Sequence, residues 1–428
     1  MKNDDHPLAK ATQSHSAEAS EKRESKSLLD RRTFLATGSS VLGIAAVHAF
    51  FPSATVAASS SPKDPTRTPG SLASSYGTRS VFEQAQRLTS STRSLTPLQQ
   101  LSGIITPSAL HFERHHNGVP LIAPQRHRLL VHGLVHQPMM FTVEELKRFP
   151  AQSRLAFIEC SGNSGKEWNG PKGSTVQETH GLTSTSEWTG VALSTVLQEA
   201  GIQPEASWVL AEGSDAAALT RSIPLAMVPK DTLLCYAQNG EPLRPEQGYP
   251  LRLLIPGWEG NACVKWLRRL KLMANPAMTR EETSKYTDLM PDGTARQFTF
   301  EMDAKSVITS PSGGQQLEQP GFIEVRGLAW TGRGRITHVD VSTDGGTSWQ
   351  AAELQQPVLP MCHTRFRLAW HWSGQEAILQ SRCEDETGYV QPTLTDLIAV
   401  RGFNSYYHNN AIQSWKVNKE GQVHNVQI

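Results

Sequence analysis

The sequence predicts an α+β domain followed by an immunoglobulin-like β-sandwich. In the first half, an amphipathic helix over 192–200 is indicated by apolar side chains at the spacing i, i+3, i+4 and i+7: Leu193, Val196, Leu197 and Ala200. In the second half, residues 336–342 alternate between apolar and polar side chains, and the hairpin turn Asp344-Gly345-Gly346 follows them. Further short strands at regular spacing, over 322–328, 366–372 and 377–383, are typical of a sandwich.

The other elements of the first domain are predicted from cap and strand signals. Thr142 and Glu145 have the spacing of a capping box, which opens a short helix ended by Pro150. Strands are predicted over 128–133, 153–158, 208–212 and 249–255. The predicted organisation is a signal peptide at 1–58, a linker or N-terminal arm at 59–96, the α+β domain at 97–275, a connection at 276–300, the sandwich at 301–417 and a C-terminal tail at 418–428.

The amino terminus has the three regions of an export signal. A polar stretch precedes Asp30-Arg-Arg-Thr-Phe-Leu35, and a weakly apolar run over 41–51 follows. This pattern is typical of a twin-arginine signal, which exports folded proteins to the periplasm. The apolar run is far shorter than the roughly 20 residues of a membrane-spanning helix, so no stable membrane anchor is expected. Export in the folded state also suggests a complex redox cofactor.

Composition places the chain among globular proteins and excludes several classes. Its 428 residues are 38% hydrophobic and 19% charged, with a formal net charge of +1, which argues against a nucleic-acid partner. None of the five cysteines forms a Cys-x-x-Cys pair. An iron-sulfur cluster, a zinc ribbon and a covalently attached haem in this chain are therefore not expected.

Cys160 is the first candidate for chemistry. It follows the apolar strand predicted over 153–158 and precedes the turn residues Ser161-Gly162-Asn163, which places it at a strand end. A thiolate in such a position can be a nucleophile or a metal ligand. A buried and chemically inert cysteine fits the local residues equally well.

Several motifs in their order resemble the sulfite oxidase family of molybdenum enzymes. They are Phe157-Ile-Glu-Cys-Ser-Gly-Asn163, Asn239-Gly-Glu-Pro-Leu-Arg-Pro-Glu-Gln-Gly-Tyr-Pro-Leu-Arg252, Pro256-Gly257, Val264-Lys-Trp-Leu267 and Lys305-Ser-Val-Ile308. Within the family, the resemblance is greatest to the molybdenum subunits of sulfane dehydrogenases of the Sox type, through Asp288-Leu-Met-Pro-Asp-Gly293 and Tyr407-His-Asn-Asn-Ala-Ile-Gln-Ser-Trp415. The resemblance implies a molybdopterin domain followed by an immunoglobulin-like dimerisation domain, and hence a homodimer.

The resemblance also implies roles for particular residues. Cys160 is the expected thiolate ligand of molybdenum, completing a shell of pterin dithiolene and oxo groups. Residues expected to hold the substrate anion or its oxygen atoms are Arg114, Tyr286, Arg401 and Lys166. Residues expected to contact the molybdopterin are His115, His116, Asp215, Arg252 and Lys265, with Arg252 and Lys265 at its phosphate. Surface ion pairing for the arginines, core packing for the tyrosine, and solvated positions for the histidines and the aspartate are the alternatives.

Two departures from the family pattern bear on the substrate. Animal sulfite oxidases continue from the cysteine as Ala-Gly-Asn-Arg-Arg, whereas this chain has Ser161-Gly-Asn-Ser-Gly165 and only Lys166 nearby. Free sulfite, a dianion, benefits from several fixed cations. Sulfane sulfur on a carrier protein is therefore the expected substrate. The second departure is Gln247, where sulfite oxidases commonly have histidine.

The expected reaction is oxo transfer from molybdenum to sulfur. No haem motif occurs in this chain. The electrons released by sulfur oxidation are therefore expected to pass to a c-type cytochrome, either a bound subunit or a soluble acceptor. A sulfite dehydrogenase that acts on free sulfite is the alternative enzyme. A periplasmic binding or scaffold protein without a cofactor is the alternative outside the enzyme class.

Overall fold

The computed structural model describes Arg67 and residues 69–428. The predicted signal peptide lies outside these residues. Within the described part no helix is both long and apolar enough to span a membrane.

Two five-stranded sheets build the first domain. In chain order its strands are β4 (Leu129–Gly133), β5 (Met139–Phe141), β6 (Ala151–Glu159), β7 (Thr183–Ala192), β8 (Trp208–Gly213), β9 (Thr220–Pro224), β10 (Leu233–Gln238), β11 (Glu241–Pro242), β12 (Arg252–Leu254) and β13 (Leu267–Met273), with helices α1 (Val143–Leu146), α2 (Val176–His180) and α3 (Leu193–Ala200); three earlier two- and three-residue strands are numbered below. One sheet has the order β11-β10-β7-β6 with β12 also paired to β10, and the other has the order β5-β4-β13-β8-β9.

Local signals account for most of these elements. The capping box at Thr142 and Glu145 is present at the start of α1, and α3 buries the four apolar residues that predicted it. A second capping box, at Thr175 and Glu178, opens α2. The strand predicted over 249–255 is shorter in the structure, because only the three residues of β12 pair with β10.

Regular secondary structure begins before residue 97, within the segment 59–96 that the sequence predicted as a linker or N-terminal arm. β1 (Leu88–Thr89) and β2 (Arg93–Leu95) form a sheet with β3 (Glu113–Arg114). Leu95 is buried in the core of the first domain. The polar residues of β2 pack because they find partners on β3, which a reading of this segment alone does not show.

The connection and the second domain follow. The connection contains α4 (Arg280–Thr283), β14 (Asp288–Leu289) and β15 (Ala295–Arg296). The second domain consists of β16 (Lys305–Ser310), β17 (Gly321–Trp330), β18 (Ile336–Ser342), β19 (Gln350–Ala351), β20 (Glu353–Gln355), β21 (Thr364–Trp372), β22 (Ala377–Asp385), α5 (Leu394–Arg401), β23 (Ser414–Val417) and β24 (Val423–Val426). Its sheets have the orders β16-β17-β21-β20 and β19-β18-β22-β23-β24, which is the predicted sandwich.

The C-terminal segment is part of the sandwich, so its description as a tail at 418–428 is wrong. β24 pairs antiparallel with β23, and Val423 is buried. The turn between the strands contains Gly421 with φ of 81°, a backbone conformation that glycine adopts without strain. A short hairpin at the chain end gives a weak sequence signal, which explains the error.

The two domains share a packed boundary next to Cys160. Phe157 on β6 belongs to the apolar core of the sandwich and stacks on His363 with a centroid distance of 6.3 Å. The Phe157 amide donates a hydrogen bond to the Met361 carbonyl oxygen, 2.8 Å away. The strand that presents Cys160 is therefore held by both domains.

A buried ion pair lies at the same boundary. Lys305 Nζ on β16 is 2.7 Å from Glu159 Oε1, and the two side chains are 1% and 0% exposed. Asn163 and Trp330 donate further hydrogen bonds to the Glu159 carboxylate, at 2.9 and 2.6 Å. These bonds satisfy the charge that burial would otherwise make costly.

Replacing Lys305 with methionine should lower the free energy of unfolding by about 3–5 kcal/mol, because it leaves the Glu159 carboxylate buried without its cation. Denaturant unfolding measures the change. The matched control is Lys416→Met, which removes the largely exposed pair with Glu376 and should cost less than about 1 kcal/mol. Equal losses for the two variants would contradict the role assigned to Lys305.

Candidate active site

Cys160 lies directly after β6, as the sequence predicted. Its amide donates to the Leu182 carbonyl oxygen at 3.0 Å, and its own carbonyl accepts from the Asn163 amide at 2.8 Å, which closes the turn. Burial raises the pKa of the Cys160 thiol, and the positive charge of Arg114 acts in the opposite direction. A thiolate here needs a cationic partner, which a bound metal ion would supply.

One cleft gathers eight of the ten residues proposed for the site. It encloses about 700 Å³ of space, part of which is open to solvent. The eight are Cys160, Arg114, His115, His116, Asp215, Arg252, Lys265 and Tyr286. They come from β3, the end of β6, the turn after β8, β12 and the segments on either side of β13, which are far apart in the sequence.

Lys166 and Arg401 lie outside this cleft. Lys166 is exposed on the 3-10 helix Gly165–Asn169. Arg401 is buried at the end of α5, where its guanidinium lies 3.7 Å from Asp288 and 3.4 Å from Asp303. The carboxylates hold this guanidinium away from the cleft, so the structure does not place either cation among the lining residues.

Arg401 supports a wall of the site indirectly. The Asp288 carboxylate that it pairs with also accepts from the amides of Tyr406 and Tyr407, at 3.4 and 3.5 Å. The Ser405 hydroxyl donates to the Arg401 carbonyl oxygen at 2.8 Å. Arg401 is therefore a positioning residue for the segment 405–407.

Arg114 lies in β3, and His115 and His116 follow that strand directly. His115 Nε2 is 2.5 Å from Glu113 Oε2, and His115 Nδ1 accepts from Lys265 Nζ at 3.0 Å. This assigns the ring proton to Nε2. Burial lowers the pKa of His115, while the hydrogen bond from His115 holds the pKa of Glu113 at about 2.

Lys265 and Arg252 form the most buried cationic part of the cleft. Lys265 Nζ donates to His115 and to the carbonyl oxygens of Arg114 and Glu246, and burial lowers its pKa to about 7. Arg252 donates to the Gln247 and Cys263 carbonyl oxygens at 3.0 and 3.1 Å. A bound anion would favour the charged form of Lys265.

His116 and Tyr286 meet beside Cys160. His116 Nε2 is 2.8 Å from the Tyr286 hydroxyl oxygen, and burial raises the pKa of Tyr286. The tyrosine therefore stays neutral and able to donate a hydrogen bond. Its backbone has φ of 50°, and Trp266, which also lines the cleft, has φ of 53°. Such conformations are rare outside glycine and concentrate at functional sites.

A buried acidic group supports the floor of the cleft. Glu259 pairs with Arg221 at 2.9 Å and accepts from Asn261 at 2.7 Å and His408 at 3.1 Å. The Arg221 guanidinium lies 5.5 Å from the centroid of the Tyr286 ring. The pair thus connects His408 of the second domain with the tyrosine of the site.

The sequence analysis missed further lining residues. They are His111, Glu113, Asn261 and Trp266 in the main cleft, and Arg93, Arg280, Lys285, Tyr406 and Tyr407 in an adjoining cleft that also reaches Cys160. Tyr407 opens one of the motifs that carried the resemblance, so that motif was a usable signal. Trp266 likewise lies in the motif Val264-Lys-Trp-Leu267 that carried the resemblance. The others are polar or aromatic residues of ordinary segments, and only their juxtaposition marks them.

The residues of the cleft fit a polar, anionic organic group. Three buried polar atoms on its lining have no hydrogen-bond partner among the described residues: His111 Nε2, Arg252 Nε and Asn261 Oδ1. Such atoms are costly unless a ligand or water satisfies them. Together with the Cys160 thiol and the cations Arg252 and Lys265 on the same lining, they match a pterin that carries a metal and a phosphate. In the described part of the chain, no three His, Cys, Asp or Glu residues are grouped to hold a metal ion.

Comparison with known proteins agrees with this geometry. The model of the oxidoreductase molybdopterin binding domain matches residues 116–281, and that of the Mo-co oxidoreductase dimerisation domain matches residues 296–415. The fold and the site therefore define a molybdopterin-dependent oxidoreductase with a dimerisation domain.

Individual relatives narrow the class. Mitochondrial sulfite oxidase from Rattus norvegicus is 31% identical over 341 residues, which cover 72% of this chain and 61% of that protein. Sulfite oxidase from Gallus gallus is 31% identical over 67% of this chain and 68% of that protein. The structure of the sulfane dehydrogenase SoxCD from Paracoccus pantotrophus matches with a TM-score of 0.79 and 46% identity, covering 86% of this chain and 100% of the matched chain. The chain belongs to the sulfite oxidase family of molybdenum oxidoreductases, and it spans 61–62% of the length of the rat and mouse sulfite oxidases.

The Glu113 carboxylate should make the free energy of unfolding depend on pH in the acidic range. Its pKa in the folded protein, about 2, is below the ordinary value of 4.5 because of its hydrogen bond with His115. It therefore stabilises the fold above pH 4.5, and this contribution is lost as the pH falls from about 4.5 to 2. The difference in unfolding free energy between wild type and Glu113→Gln should be constant above pH 5 and shrink below it. Glu205→Gln, at an exposed position, should show no such trend.

Replacing Gly165 should destabilise the fold, because there is no room for a side chain at this position. A Cβ atom there would lie 2.6 Å from the Tyr406 carbonyl oxygen, whereas one at Gly162 would lie 3.5 Å from the Tyr406 ring, an ordinary contact. Gly165→Ala should therefore cost about 1–3 kcal/mol of stability, as overpacking does, and Gly162→Ala much less. Thermal unfolding of both variants tests this, and equal stability of the two would contradict the packing described.

Proposed function

We propose that this protein oxidises sulfane sulfur bound to a carrier, by molybdenum-dependent oxo transfer, and passes the electrons to a c-type cytochrome. The observation that carries the proposal is the cleft lined by Cys160, by three polar atoms without a hydrogen-bond partner and by the cations Arg252 and Lys265. The 46% identity with SoxCD over the full length of the matched chain supports the sulfane dehydrogenase branch.

When bound, the molybdenum cofactor would supply oxo transfer and a two-electron change of oxidation state. Cys160 would hold the metal through its sulfur, with a pKa lowered by that bond. Arg252 and Lys265 would bind the phosphate end, with neutral His115 holding the Lys265 ammonium in place, and His111 and Asn261 would form hydrogen bonds with the pterin ring. Asp215 lines the same cleft and accepts a hydrogen bond from the Leu219 amide at 3.1 Å, which fixes its carboxylate as an acceptor for ring N–H groups.

Substrate orientation falls to the residues on the other side of Cys160. Arg114 provides a cation, and the neutral Tyr286 hydroxyl provides a hydrogen-bond donor that His116 orients. Tyr407 packs against Tyr286 with a ring-centroid distance of 5.2 Å, and Tyr406 against Tyr407 with 5.3 Å. These rings form an aromatic wall of the second cleft, which Cys160 also lines.

The turn after Cys160 favours carrier-bound sulfane over free sulfite. Tyr406 packs against Gly165, where a side chain as large as arginine has no room. An aromatic wall therefore occupies the space in which animal sulfite oxidases, by the sequence resemblance, carry a cation. Carbon and sulfane sulfur gain from such contacts, whereas a free dianion loses a fixed positive charge.

Free sulfite is the second candidate substrate. Sulfite oxidases from three mammals are 31–34% identical to this chain over most of its length, and Arg114 is retained on the cleft. Turnover of sulfite with cytochrome c, and none of carrier-bound sulfane, would favour it.

Cellular location and assembly are proposed from the sequence. The twin-arginine pattern at 1–58 supports export to the periplasm in the folded state. The dimerisation domain supports a homodimer, and the SoxCD match supports a further partner subunit.

The decisive experiment compares purified wild type with Cys160→Ser. Wild type should contain about one molybdenum per chain and reduce cytochrome c with carrier-bound sulfane, whereas Cys160→Ser should lose activity by at least about 10²-fold, as loss of a group that acts on the reacting centre does. Cys362→Ser, a buried cysteine outside both clefts, should keep metal and activity. Full activity of Cys160→Ser, or wild type without molybdenum, would overturn the proposal and favour a binding protein.

A further inference from the structure

A second cleft adjoins the main one at Cys160, and Lys265 is not among its lining residues. It shares Arg114, His116, Cys160 and Tyr286 with the main cleft. The residues that it adds include Arg93, Arg280 and Lys285, together with Tyr406 and Tyr407. It therefore offers an approach to Cys160 that is lined by cations and tyrosines.

Arg93 and Arg114 stand directly opposite each other in this cleft. They are partners in the antiparallel pairing of β2 with β3, so their side chains leave the sheet on the same face, and both line the cleft. On the other face, Ser94 and Glu113 are opposite, and the serine hydroxyl donates to the carboxylate at 2.9 Å. On one face of this strand pair, the serine and the carboxylate hydrogen-bond to each other. On the other face, two positive charges lie side by side.

Neither arginine has an acidic partner. Among the described residues Arg93 and Arg114 form no ion pair, and no Asp or Glu lines this part of the cleft. Opposed like charges destabilise a strand pair unless something neutralises them. An anion between the two guanidinium groups would do so and would accept forked hydrogen bonds from both.

The positive charge continues outwards. Lys285 is exposed at the rim, and Arg280, also half exposed, pairs with Glu281 at 2.5 Å. The Lys285 amide donates to the Arg280 carbonyl oxygen at 3.1 Å, which places both cations on one turn. The cleft is therefore cationic from its rim to Arg114, with the tyrosines on one wall.

We propose that Arg93 and Arg114 form a subsite for an acidic side chain that lies beside the sulfur-bearing cysteine of the carrier. The inference rests on the proposed function and specifies its substrate: a carrier segment that places a carboxylate between the arginines while its sulfane passes Tyr406 towards Cys160. Arg93 comes from the N-terminal segment, outside the residues 116–281 that match the molybdopterin domain. The specificity element is thus supplied by the arm.

Two peptides test the subsite, each with one cysteine persulfide and with either acidic or neutral neighbouring residues. The holoenzyme should have a lower KM for the acidic peptide. Arg93→Gln should raise this KM about tenfold, the effect of losing one charge-assisted hydrogen bond, with kcat changed less than about twofold. The KM for the neutral peptide should not change. Arg93→Lys should restore part of the preference, and Arg126→Gln, at an exposed cation outside the cleft, should leave both KM values as in wild type.

Direct binding measurements distinguish the proposed subsite from the proposed oxidation of carrier-bound sulfane. The acidic peptide with its cysteine blocked by alkylation should bind wild type about tenfold more tightly than Arg93→Gln, by calorimetry at low salt. Equal binding of acidic and neutral peptides by wild type, or unchanged binding by Arg93→Gln, would overturn the subsite. Charge-selective binding with no oxidation of either persulfide would support the subsite and refute the oxidation of carrier-bound sulfane.

Discussion

The buried pair of Glu159 and Lys305 is the interaction on which the site depends. It joins the residue before Cys160 to the first strand of the sandwich, so the position of Cys160 is set by both domains. The Glu159 carbonyl oxygen also accepts from the Gly260 amide at 2.6 Å, which holds the segment that carries Asn261 and Cys263. A displacement of β16 would therefore move Cys160 and the lining of the cleft through the Glu159 side chain.

The second domain also contributes residues to the site. It sends Tyr406, Tyr407 and His408 back to the first domain, where Arg401 and Asp288 fix their backbone and Glu259 accepts from the histidine. Arg401 matches a family arginine by sequence, yet two carboxylates hold it behind the tyrosines. The charge is neutralised in place, and the aromatic rings face the cleft instead.

Sequence patterns predicted the elements whose stability is local. Helix α3, the capping box of α1 and strand β18 follow from periodicity and caps. The predicted bounds of α3 and β18 agree with the structure to within one residue, whereas α1 ends at Leu146, before the predicted stop at Pro150. The strands β2 and β24 were missed because each is stabilised by a partner strand rather than by its own residues. The same limit applies to the site: motif order located Cys160 and Lys265, whereas Arg93 and Tyr406 are recognisable only where distant segments meet.

The neighbours of Cys160 show how one scaffold can accept different substrates. A residue with a side chain at 165 would displace the Tyr406 backbone, so an arginine and the tyrosine wall exclude each other at this place. The cation missing at position 165 is accompanied by Arg93 in the second cleft, opposite the Arg114 that lines both clefts. Positive charge is thus moved away from the reacting sulfur to a position where it can bind a separate anionic group. That shift suits a substrate whose charge and sulfur are on different atoms, as in a peptide, and disfavours a small dianion.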